Sequence, residues 1–354
     1  MGKVLIAMSG GVDSSVAAYL LKHSGWDCVG ATMTLYRNED IGISRSRTCC
    51  SLEDVEDARS VAFRLRIPYY VFNFSDEFRR QVMDRFADTY GQGRTPNPCI
   101  DCNRYLKFRH LYDRAALLGC DTIATGHYGR IERENGRYLL KKALDASKDQ
   151  SYVLYMLTQE QLAHTQFPLG SLHKAETRQL ADSLGFFNAR KPDSQDICFV
   201  PDGDYAAFIR RHSGKTDTPG DFVDESGRIL GRHKGITHYT IGQRKGLGIP
   251  SNQPLYVKAI DPKSNQVVLS ENDALFSQQL TGENFNWIAW EAPPRQFRCS
   301  ARIRYRQMEQ PCEVTVEEGG SVQVLFDRPQ RAITPGQAVV LYDGDTVLGG
   351  GTIL

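Results

Sequence analysis

The sequence predicts an α/β protein that begins with a parallel-sheet domain, continues with a small central domain of mixed or mainly β structure, and ends in a β-barrel. Two features predict the parallel-sheet domain, and a third predicts the barrel. Short apolar runs alternate with helical periodicity up to about residue 200, as in a sheet covered by helices on both faces. A Gly-Gly turn also separates the first apolar run from the first helix. The third feature is that short strands and turns fill the chain after about residue 275.

The pattern predicts each element in order. In the first part we expect strands at 4–7, 29–34, 69–74 and 122–125, and helices from the Gly-Gly turn to 21 and at 52–65, 76–90 and 107–118. A short helix at 205–211 and strands at 255–260 and 267–269 follow, and then strands at 298–305, 312–316, 321–326 and 338–342. Domain boundaries near 200 and 274 therefore divide the chain into 1–200, 201–274 and 275–354.

Composition limits the class of protein. The 354 residues exceed one ordinary core, and 41% hydrophobic with 24% charged residues is typical of a soluble globular protein. A formal net charge of +1 means that any nucleic-acid surface must be local. We find no secretory signal and no apolar run of roughly 18 to 20 residues, so we expect a cytoplasmic protein without a membrane partner. In that compartment the nine cysteines are expected to be thiols.

The most informative segment is Ser9-Gly10-Gly11-Val12-Asp13-Ser14-Ser15. Adjacent glycines let the backbone approach a phosphate, and the free N–H groups of the following helix attract it. Ser14 or Ser15 can cap the helix or bond a phosphate oxygen. The segment has no Walker A lysine, and Asp13 stands in its place, which favours a carboxylate that holds Mg²⁺. The S-G-G-x-D-S pattern resembles the loop of N-type ATP pyrophosphatases, which transfer AMP to a substrate oxygen.

A second segment carries paired thiols. Two prolines stiffen the approach to Cys99 and Cys102 in the sequence T-P-N-P-C-I-D-C-N, so we expect both to project from a fixed loop. Neighbouring arginines and Lys107 predict a positive field that lowers a thiol pKa and so favours covalent sulfur chemistry. Half of a zinc site completed by Cys49 and Cys50, a redox pair and inert thiols remain alternatives.

Three further segments have both functional and structural interpretations. Cys198 lies between apolar residues, typical of a buried strand, but it follows the polar residues 193–195. The segment 148–150 is either a helix cap or part of a site. Arg302, Arg304 and Arg306 alternate with apolar residues, so a strand would place them on one face, where they could contact phosphates or solvent.

Eight motifs in order across nearly the whole chain resemble the tRNA-specific 2-thiouridylases. They are S-G-G-V-D-S-S at 9–15, T-P-N-P-C-I-D-C-N at 95–103, A-T-G-H-Y at 124–128, K-D-Q-S-Y at 148–152, D-S-Q-D-I-C-F at 193–199, G-Q-R-K-G-L-G at 242–248, R-Y-R-Q at 304–307 and T-P-G-Q at 334–337. The resemblance implies an adenine nucleotide alpha hydrolase-like first domain and ATP-dependent 2-thiolation of the wobble uridine of tRNA.

The resemblance also implies roles for individual residues. ATP would contact Ala7, Met8, Ser9, Gly10, Gly11, Val12, Asp13, Ser14, Met33 and Gly126. Cys198 would carry a persulfide received from a cysteine desulfurase or a sulfur relay protein, and Cys102 would be the nucleophile that ends in a transient disulfide with Cys198. The target base and the rest of the tRNA would meet Asn97, Pro98, Cys99, His127, Lys148, Asp149, Gln150, Arg304, Tyr305 and Gln337.

One position departs from part of the family, in which an aspartate matches Cys99. Three thiols, Cys99, Cys102 and Cys198, could then hold a [4Fe–4S] cluster that carries sulfur. Cofactors are thus ATP and Mg²⁺, with the cluster as an alternative to the persulfide. Other AMP-forming enzymes, such as an amidotransferase-type synthetase or a lysidine-forming ligase, do not require paired thiols, and a non-catalytic tRNA-binding module would not require Asp13.

Overall fold

The computed structural model describes residues 2–37, 39–41, 52–193 and 197–354, with the side chain of Leu52 left out. Within these residues the first part contains seven strands. They are β1 (Lys3–Ala7), β2 (Asp27–Thr34), β3 (Tyr69–Asn73), β4 (Thr122–Thr125), β5 (Arg130–Glu134), β6 (Arg137–Lys141) and β7 (Thr165–Gln166). Its α-helices are α1 (Val12–His23), α2 (Leu52–Arg64), α3 (Ser75–Phe78), α4 (Arg85–Gly91), α5 (Pro98–Asp101), α6 (Leu111–Leu117), α7 (Gln159–Ala163) and α8 (Lys174–Ser183).

The predicted parallel sheet is confirmed. Five strands pair in the order β3-β2-β1-β4-β7, and every pairing is parallel. Strand β1 is central and fully buried at Val4, Leu5 and Ile6, which explains its continuous apolar run. After β1 the chain continues to β2 on one side of the sheet, whereas after β4 it reaches β7 on the other side. The loops that follow β1 and β4 therefore lie side by side at the carboxyl edge of the sheet, where ligands bind in such folds.

The helix that carries the paired cysteines begins earlier than the sequence indicated. A π-helical segment, Cys102–His110, joins α5 to α6, so helical structure runs from Pro98 to Leu117 rather than from 107. Pro98 is the first helical residue, where its missing N–H costs nothing, and Asn97 is the N-cap. The prediction of a fixed loop at Cys99 and Cys102 was therefore wrong. Proline disfavours helical structure in the residue before it, but it is well suited to the first position of a helix.

The central part has one α-helix and four strands: α9 (Tyr205–Ser213), β8 (Gly220–Val223), β9 (Ile229–His233), β10 (Tyr256–Asp261) and β11 (Gln266–Ser270). The strands pair in the order β10-β11-β8-β9. Phe222, Val257 and Val267 are fully buried among them and form a separate small core.

The last part is the predicted barrel. Its strands are β12 (Phe276–Trp287), β13 (Gln296–Arg302), β14 (Gln310–Val316), β15 (Val322–Arg331), β16 (Ala338–Asp343) and β17 (Thr346–Ile353). They pair in the order β12-β15-β14-β13-β16-β17, and β17 pairs back to β12, which closes the sheet. Strand β13 ends at Arg302, so the predicted strand 298–305 was too long, and Arg304 and Arg306 lie in the following turn.

Strands β5 and β6 form a hairpin that was not predicted from the sequence. Its turn contains Asn135 at φ 50° and Gly136 at φ 82°, the Asn-Gly signal of a two-residue hairpin loop. Strand β6 pairs with β17 through Thr346 and Lys141, so this hairpin extends the barrel sheet. The first part of the chain and the barrel are thereby joined by backbone pairing. Among the described residues, no helix is long and apolar enough to cross a bilayer.

Candidate active site

The Gly-Gly turn of residues 9–15, called the phosphate turn below after the ligand that its sequence predicts, forms an open helix N-terminus at the edge of the sheet. Gly10 has φ +74°, and a Cβ there would collide with the Asp54 carbonyl oxygen, so the position requires glycine. Gly11 is the N-cap of α1, and no side chain caps the first N–H groups within the part of the chain described. Contrary to expectation, the Ser14 and Ser15 hydroxyls donate back to the Gly11 carbonyl at 3.1 and 3.0 Å. The N–H groups therefore remain for an anion.

Gly126 lies against this turn, as the sheet order predicted. A Cβ on Gly126 would come within 2.8 Å of the Ser14 nitrogen, so only glycine allows the two loops to approach. Met8 lies below the turn: its side chain is buried, its N–H donates to the Ala31 carbonyl at 2.8 Å, and its carbonyl accepts from Thr32. The Met8 side chain therefore belongs to the core, and the expected contact of Met8 with ATP remains a prediction.

The structure puts the other predicted ATP residues around the same edge. Ala7 is the last residue of β1, and Met33 lies near the end of β2 in register with Phe72. The Ser9 nitrogen donates to Ser14 Oγ at 3.1 Å, which holds the turn closed. Val12 is buried and anchors the start of α1.

Asp13 carries an ion pair that the sequence did not reveal. Both carboxylate oxygens accept from Lys174 Nζ at 2.7 Å, and Tyr128 Oη donates to Oδ1 at 2.9 Å. A Mg²⁺ ion on this carboxylate would need the position that the ammonium occupies, and like charges would repel. The residues present therefore do not fit a magnesium ion bound directly to Asp13, and that prediction is corrected.

Asp193 is the next carboxylate in this network. Lys174 Nζ lies 2.8 Å from Asp193 Oδ1, Lys148 Nζ lies 2.8 Å from Oδ2, and Arg178 Nη2 lies 2.9 Å from Oδ1. Although partial burial alone would raise it, the bonds from Lys148 and Lys174 lower the pKa of Asp193 to about 2. Asp193 is thus ionised at neutral pH and connects the phosphate turn with Lys148.

The segment after α8 also contacts the phosphate turn directly. Asn188 Nδ2 donates to the Gly10 carbonyl at 3.0 Å and to Ser15 Oγ at 2.9 Å. Lys191 Nζ bonds Asp54 Oδ1 at 2.5 Å and Asp57 Oδ2 at 2.6 Å, which ties this segment to α2. No local pattern in the sequence indicated these contacts.

Cys99 and Cys102 lie on the first helical turns after Pro98. The Asn97 side chain accepts from the Cys99 nitrogen at 3.2 Å, which fixes the helix start. Cys99 is exposed, whereas Cys102 is half-buried and packs against the main core. This arrangement offers one thiol to solvent and keeps the other at the boundary of the core.

The expected low thiol pKa at Cys102 is wrong. Burial raises the pKa of Cys102 to about 11, and the neighbouring Cys99 and Asp101 act in the same direction. Lys107 is the charge that opposes them by favouring the thiolate. At neutral pH the resting Cys102 is therefore a thiol.

His127 is an internal residue. It is 8% exposed, its Nδ1 lies 2.7 Å from Thr125 Oγ1, and Lys107 Nζ lies 3.5 Å from its Nε2. Because an ammonium only donates, Nε2 accepts and Nδ1 carries the proton. Burial, followed by the Lys107 charge, lowers the pKa of His127 well below its usual range, so the ring is neutral. Its burial makes direct contact with tRNA incompatible with this conformation.

Cys198 is half-buried and packs against the same core as Cys102. Its carbonyl accepts from Tyr36 Oη at 2.7 Å. Within the residues described, no group of three or more His, Cys, Asp or Glu side chains could hold a metal ion. Cys99, Cys102 and Cys198 therefore do not form an iron–sulfur ligand set in this conformation, and we derive no step through a cluster. Cys49, Cys50 and residues 194–196 lie outside the described residues.

The segment 148–150 divides into exposed and internal residues. Asp149 is buried and accepts from Arg302 Nη1 at 2.9 Å, while its other contacts are with Ala143 and Ser151. Its predicted contact with tRNA is incompatible with this burial, and Arg302 is an ion-pair partner rather than a phosphate ligand. Gln150 Oε1 accepts from the Tyr128 nitrogen at 2.9 Å. The segment caps no longer helix, since only a short 3₁₀ turn, Ser151–Val153, follows it.

The barrel brings its predicted residues to the cysteine helix. Gln337 Nε2 donates to the Thr95 carbonyl at 2.8 Å, just before Asn97. Tyr305 is 38% exposed, and partial burial, followed by the neighbouring Asp149 and Cys99, raises the pKa of its phenol. Arg304 instead donates to the Ala332 carbonyl at 2.9 Å and to Thr334 Oγ1 at 3.0 Å, so its guanidinium braces the barrel.

The fold and the site together define a nucleotide-binding α/β domain with an adjacent cysteine pair, joined to two β domains. Family models match the three parts in turn: a tRNA methyl transferase HUP domain at residues 2–202, a tRNA methyl transferase PRC-barrel domain at 206–271 and an aminomethyltransferase beta-barrel domain at 277–353.

Full-length relatives give a more specific classification. The tRNA-specific 2-thiouridylase MnmA 1 of Thermoanaerobacter sp. (strain X514) is 54% identical, covering 99% of this chain and 97% of the relative. The tRNA-specific 2-thiouridylase MnmA of Clostridioides difficile (strain 630) is 50% identical, covering 99% and 98% of the two chains. That of Lachnoclostridium phytofermentans is 51% identical over 100% of both. The chain belongs to the tRNA-specific 2-thiouridylase family, which confirms the resemblance seen in its motifs.

Proposed function

We propose that this protein is an ATP-dependent tRNA sulfurtransferase that replaces the C2 oxygen of the wobble uridine with sulfur. The observation that carries the proposal is the phosphate turn and the cysteine helix in one chain that matches 2-thiouridylases over its full length. Residues 1–200 form the catalytic domain, 201–274 a central tRNA-binding domain and 275–354 the C-terminal barrel.

ATP activates the uridine oxygen in the first step. The triphosphate binds at the open N-terminus of α1, with Ser9 to Ser14, Met33 and Gly126 around it. The C2 oxygen attacks the α-phosphorus, pyrophosphate leaves, and the resulting adenylate makes C2 susceptible to displacement. The N–H groups of the turn stabilise the charge of the departing pyrophosphate.

Sulfur transfer then uses two thiols. A cysteine desulfurase or a sulfur relay protein leaves a persulfide on Cys198, whose terminal sulfur attacks C2 and expels AMP. The Cys102 thiolate next attacks Cys198 Sγ, so that the sulfur–sulfur bond breaks, the thiocarbonyl forms and Cys102 and Cys198 become a disulfide. Since Cys102 rests as a thiol, its proton must leave before this attack, and Lys107 favours that loss. A thiol reductant restores both thiols.

The tRNA contacts divide between the barrel and the cysteine helix. Asn97, Pro98 and Cys99 surround the target base, which must leave the anticodon stack to reach them. Lys148, Gln150, Tyr305 and Gln337 contact the rest of the tRNA. Lys148 can bind a phosphate by exchanging its ion pair with Asp193.

Mass analysis of tRNA nucleosides after incubation with ATP, Mg²⁺, and a cysteine desulfurase with free cysteine as the persulfide donor tests the function. We expect 2-thiouridine to form only when ATP is present. In C102S, thiolation should be lost while tRNA-dependent AMP formation persists, and C299S, which changes a thiol in the barrel, should behave like the wild type. Absence of thiolation in the wild type under these conditions, or full thiolation by C102S, would contradict the proposal.

The role of Cys99 has its own test. C99D should retain thiolation, because the persulfide route carries sulfur only on Cys102 and Cys198 and an aspartate matches Cys99 in part of the family. Protein purified without oxygen and assayed for iron and sulfide provides the control. An iron-containing protein that loses both iron and activity in C99D would favour the cluster instead.

A further inference from the structure

The side chains around the phosphate turn form a closed network of charges, which we call the loop ion network. It consists of Asp13, Asp193, Lys148, Lys174 and Arg178. Lys174 is at its centre, since all three N–H donors of its ammonium meet carboxylate oxygens: two on Asp13 at 2.7 Å and one on Asp193 at 2.8 Å. The Lys174 side chain is only 10% exposed, so this geometry is protected from bulk water.

Several contacts hold this ammonium in place. Lys174 is the first residue of α8, and its backbone N–H donates to Asp145 Oδ2 at 3.0 Å, which fixes the start of the side chain. Tyr128 Oη donates to Asp13 Oδ1 at 2.9 Å and holds the carboxylate, while the Tyr128 ring lies 5.8 Å from Lys174 Nζ. The Asp13–Lys174 pair is therefore built into two separate elements, α1 and α8.

Asp13 is the residue for which the loop suggested a metal ion, and its partner in the structure is a lysine. We propose that Lys174 is the cation that Asp13 holds at the phosphate turn, and that Asp13 is a positioning residue for this ammonium rather than a magnesium ligand. The inference rests on the proposed use of ATP and identifies the side-chain charge that receives the triphosphate.

The network explains how Lys174 could serve a nucleotide without losing its position. A triphosphate at the N-terminus of α1 would repel Asp193 and attract Lys174. The ammonium can exchange its single bond to Asp193 for a phosphate oxygen while Asp13 retains it through two bonds. Asp193 keeps Arg178 as a partner even when Lys148 binds a tRNA phosphate, so no carboxylate is left unpaired.

This inference is tested by calorimetric measurement of ATP affinity in the presence of Mg²⁺ and in the presence of EDTA. The variants compared are D13N, K174M, the D13N/K174M double variant and K174R. Because hydrogen-bonded charges are lost, we expect D13N and K174M each to weaken binding by about tenfold. The double variant should be no weaker than either single variant, since both remove one interaction. K174R should bind more tightly than K174M, and K22M, which removes an exposed lysine from the end of α1, should match the wild type.

The ratio of ATP affinities with Mg²⁺ and with EDTA separates the two roles of Asp13. If Asp13 positions Lys174, this ratio in D13N equals that of the wild type; if Asp13 binds magnesium, the ratio falls toward one, which would overturn the inference. Additive effects in the double variant would also overturn it. Should K174M fail to fold, the D13N ratio decides alone. A wild type that does not bind ATP would contradict the proposed function itself. If the wild type binds ATP but the ratio of affinities with Mg²⁺ and with EDTA falls in D13N, only this inference is contradicted.

Discussion

Gln337 of the barrel donates a 2.8 Å hydrogen bond to the carbonyl of Thr95, although 242 residues separate them in the chain. The Thr95 nitrogen in turn donates to the Pro335 carbonyl at 2.9 Å, and Gly336, at φ +89°, lets the turn come close. The barrel thus fixes the segment that leads into the cysteine helix. Through this contact the C-terminal part of the chain holds the segment that precedes Cys99 and Cys102.

Replacing Gln337 should therefore impair tRNA binding more than stability. The hydrogen bond to Thr95 contributes about 0.5–1.5 kcal/mol to stability. Because Q337A also displaces the segment before Asn97 and removes the proposed tRNA contact of Gln337, the Kd for tRNA should rise by roughly tenfold or more. Filter binding and urea unfolding measure the two quantities. Q279A, on an exposed part of the same barrel, is the control. Equal effects of Q337A and Q279A on tRNA binding would contradict the role given to this contact.

Alkylation of Cys102 should depend on pH in the way that a raised pKa requires. Only the thiolate reacts with iodoacetamide, so below the pKa the rate rises by about tenfold for each pH unit. With a pKa of about 11, the rate at Cys102 should still be increasing above pH 9. Mass spectrometry of peptides from a pH series, with C102S to assign the adduct, measures it. A plateau below pH 9 would show that the thiolate is favoured in solution.

The buried pair of Asp149 and Arg302 should be necessary for stability. Asp149 is only 1% exposed, and R302M would leave its carboxylate without this cation, which costs about 3–5 kcal/mol in such sites. Urea unfolding at neutral pH measures the loss. The control is R298M. Arg298 lies on the same strand as Arg302 but forms an exposed ion pair with Asp327, so its loss should change stability little. A loss in R302M no larger than that in R298M would be inconsistent with a buried ion pair.

The phosphate turn should not tolerate a side chain at Gly10. Both Gly10 and Gly119 have positive φ, at +74° and +70°, but only a Cβ on Gly10 would meet the chain, at Asp54. G119A should therefore cost about 1–2 kcal/mol from backbone strain alone, whereas G10A should cost more and abolish ATP binding. Thermal unfolding and calorimetry compare the two variants. ATP binding by G10A at wild-type affinity would contradict the assignment of the turn.

The local sequence sufficed for features that depend on neighbouring residues. The apolar run of β1, the adjacent glycines and the start of α1 predicted the phosphate turn and the parallel sheet, because periodicity and backbone freedom are local properties. The motifs around Cys99 and Cys102 predicted the family, although the helix was predicted to begin at 107 and actually begins at Pro98. The Asn-Gly pair at 135–136 is a local hairpin signal from which β5 and β6 could have been predicted.

Only the tertiary structure decided which charges meet. The sequence by itself determined that Asp13 follows a phosphate turn, but its partner Lys174 is 161 residues away and reaches it because α8 packs on α1. Asp149 likewise became internal when the barrel supplied Arg302. Burial also reversed the expected pKa shift at Cys102, since desolvation outweighs the nearby positive charge. Ion pairing and desolvation depend on distance in space and on exposure, and neither quantity is encoded in the spacing of residues along the chain.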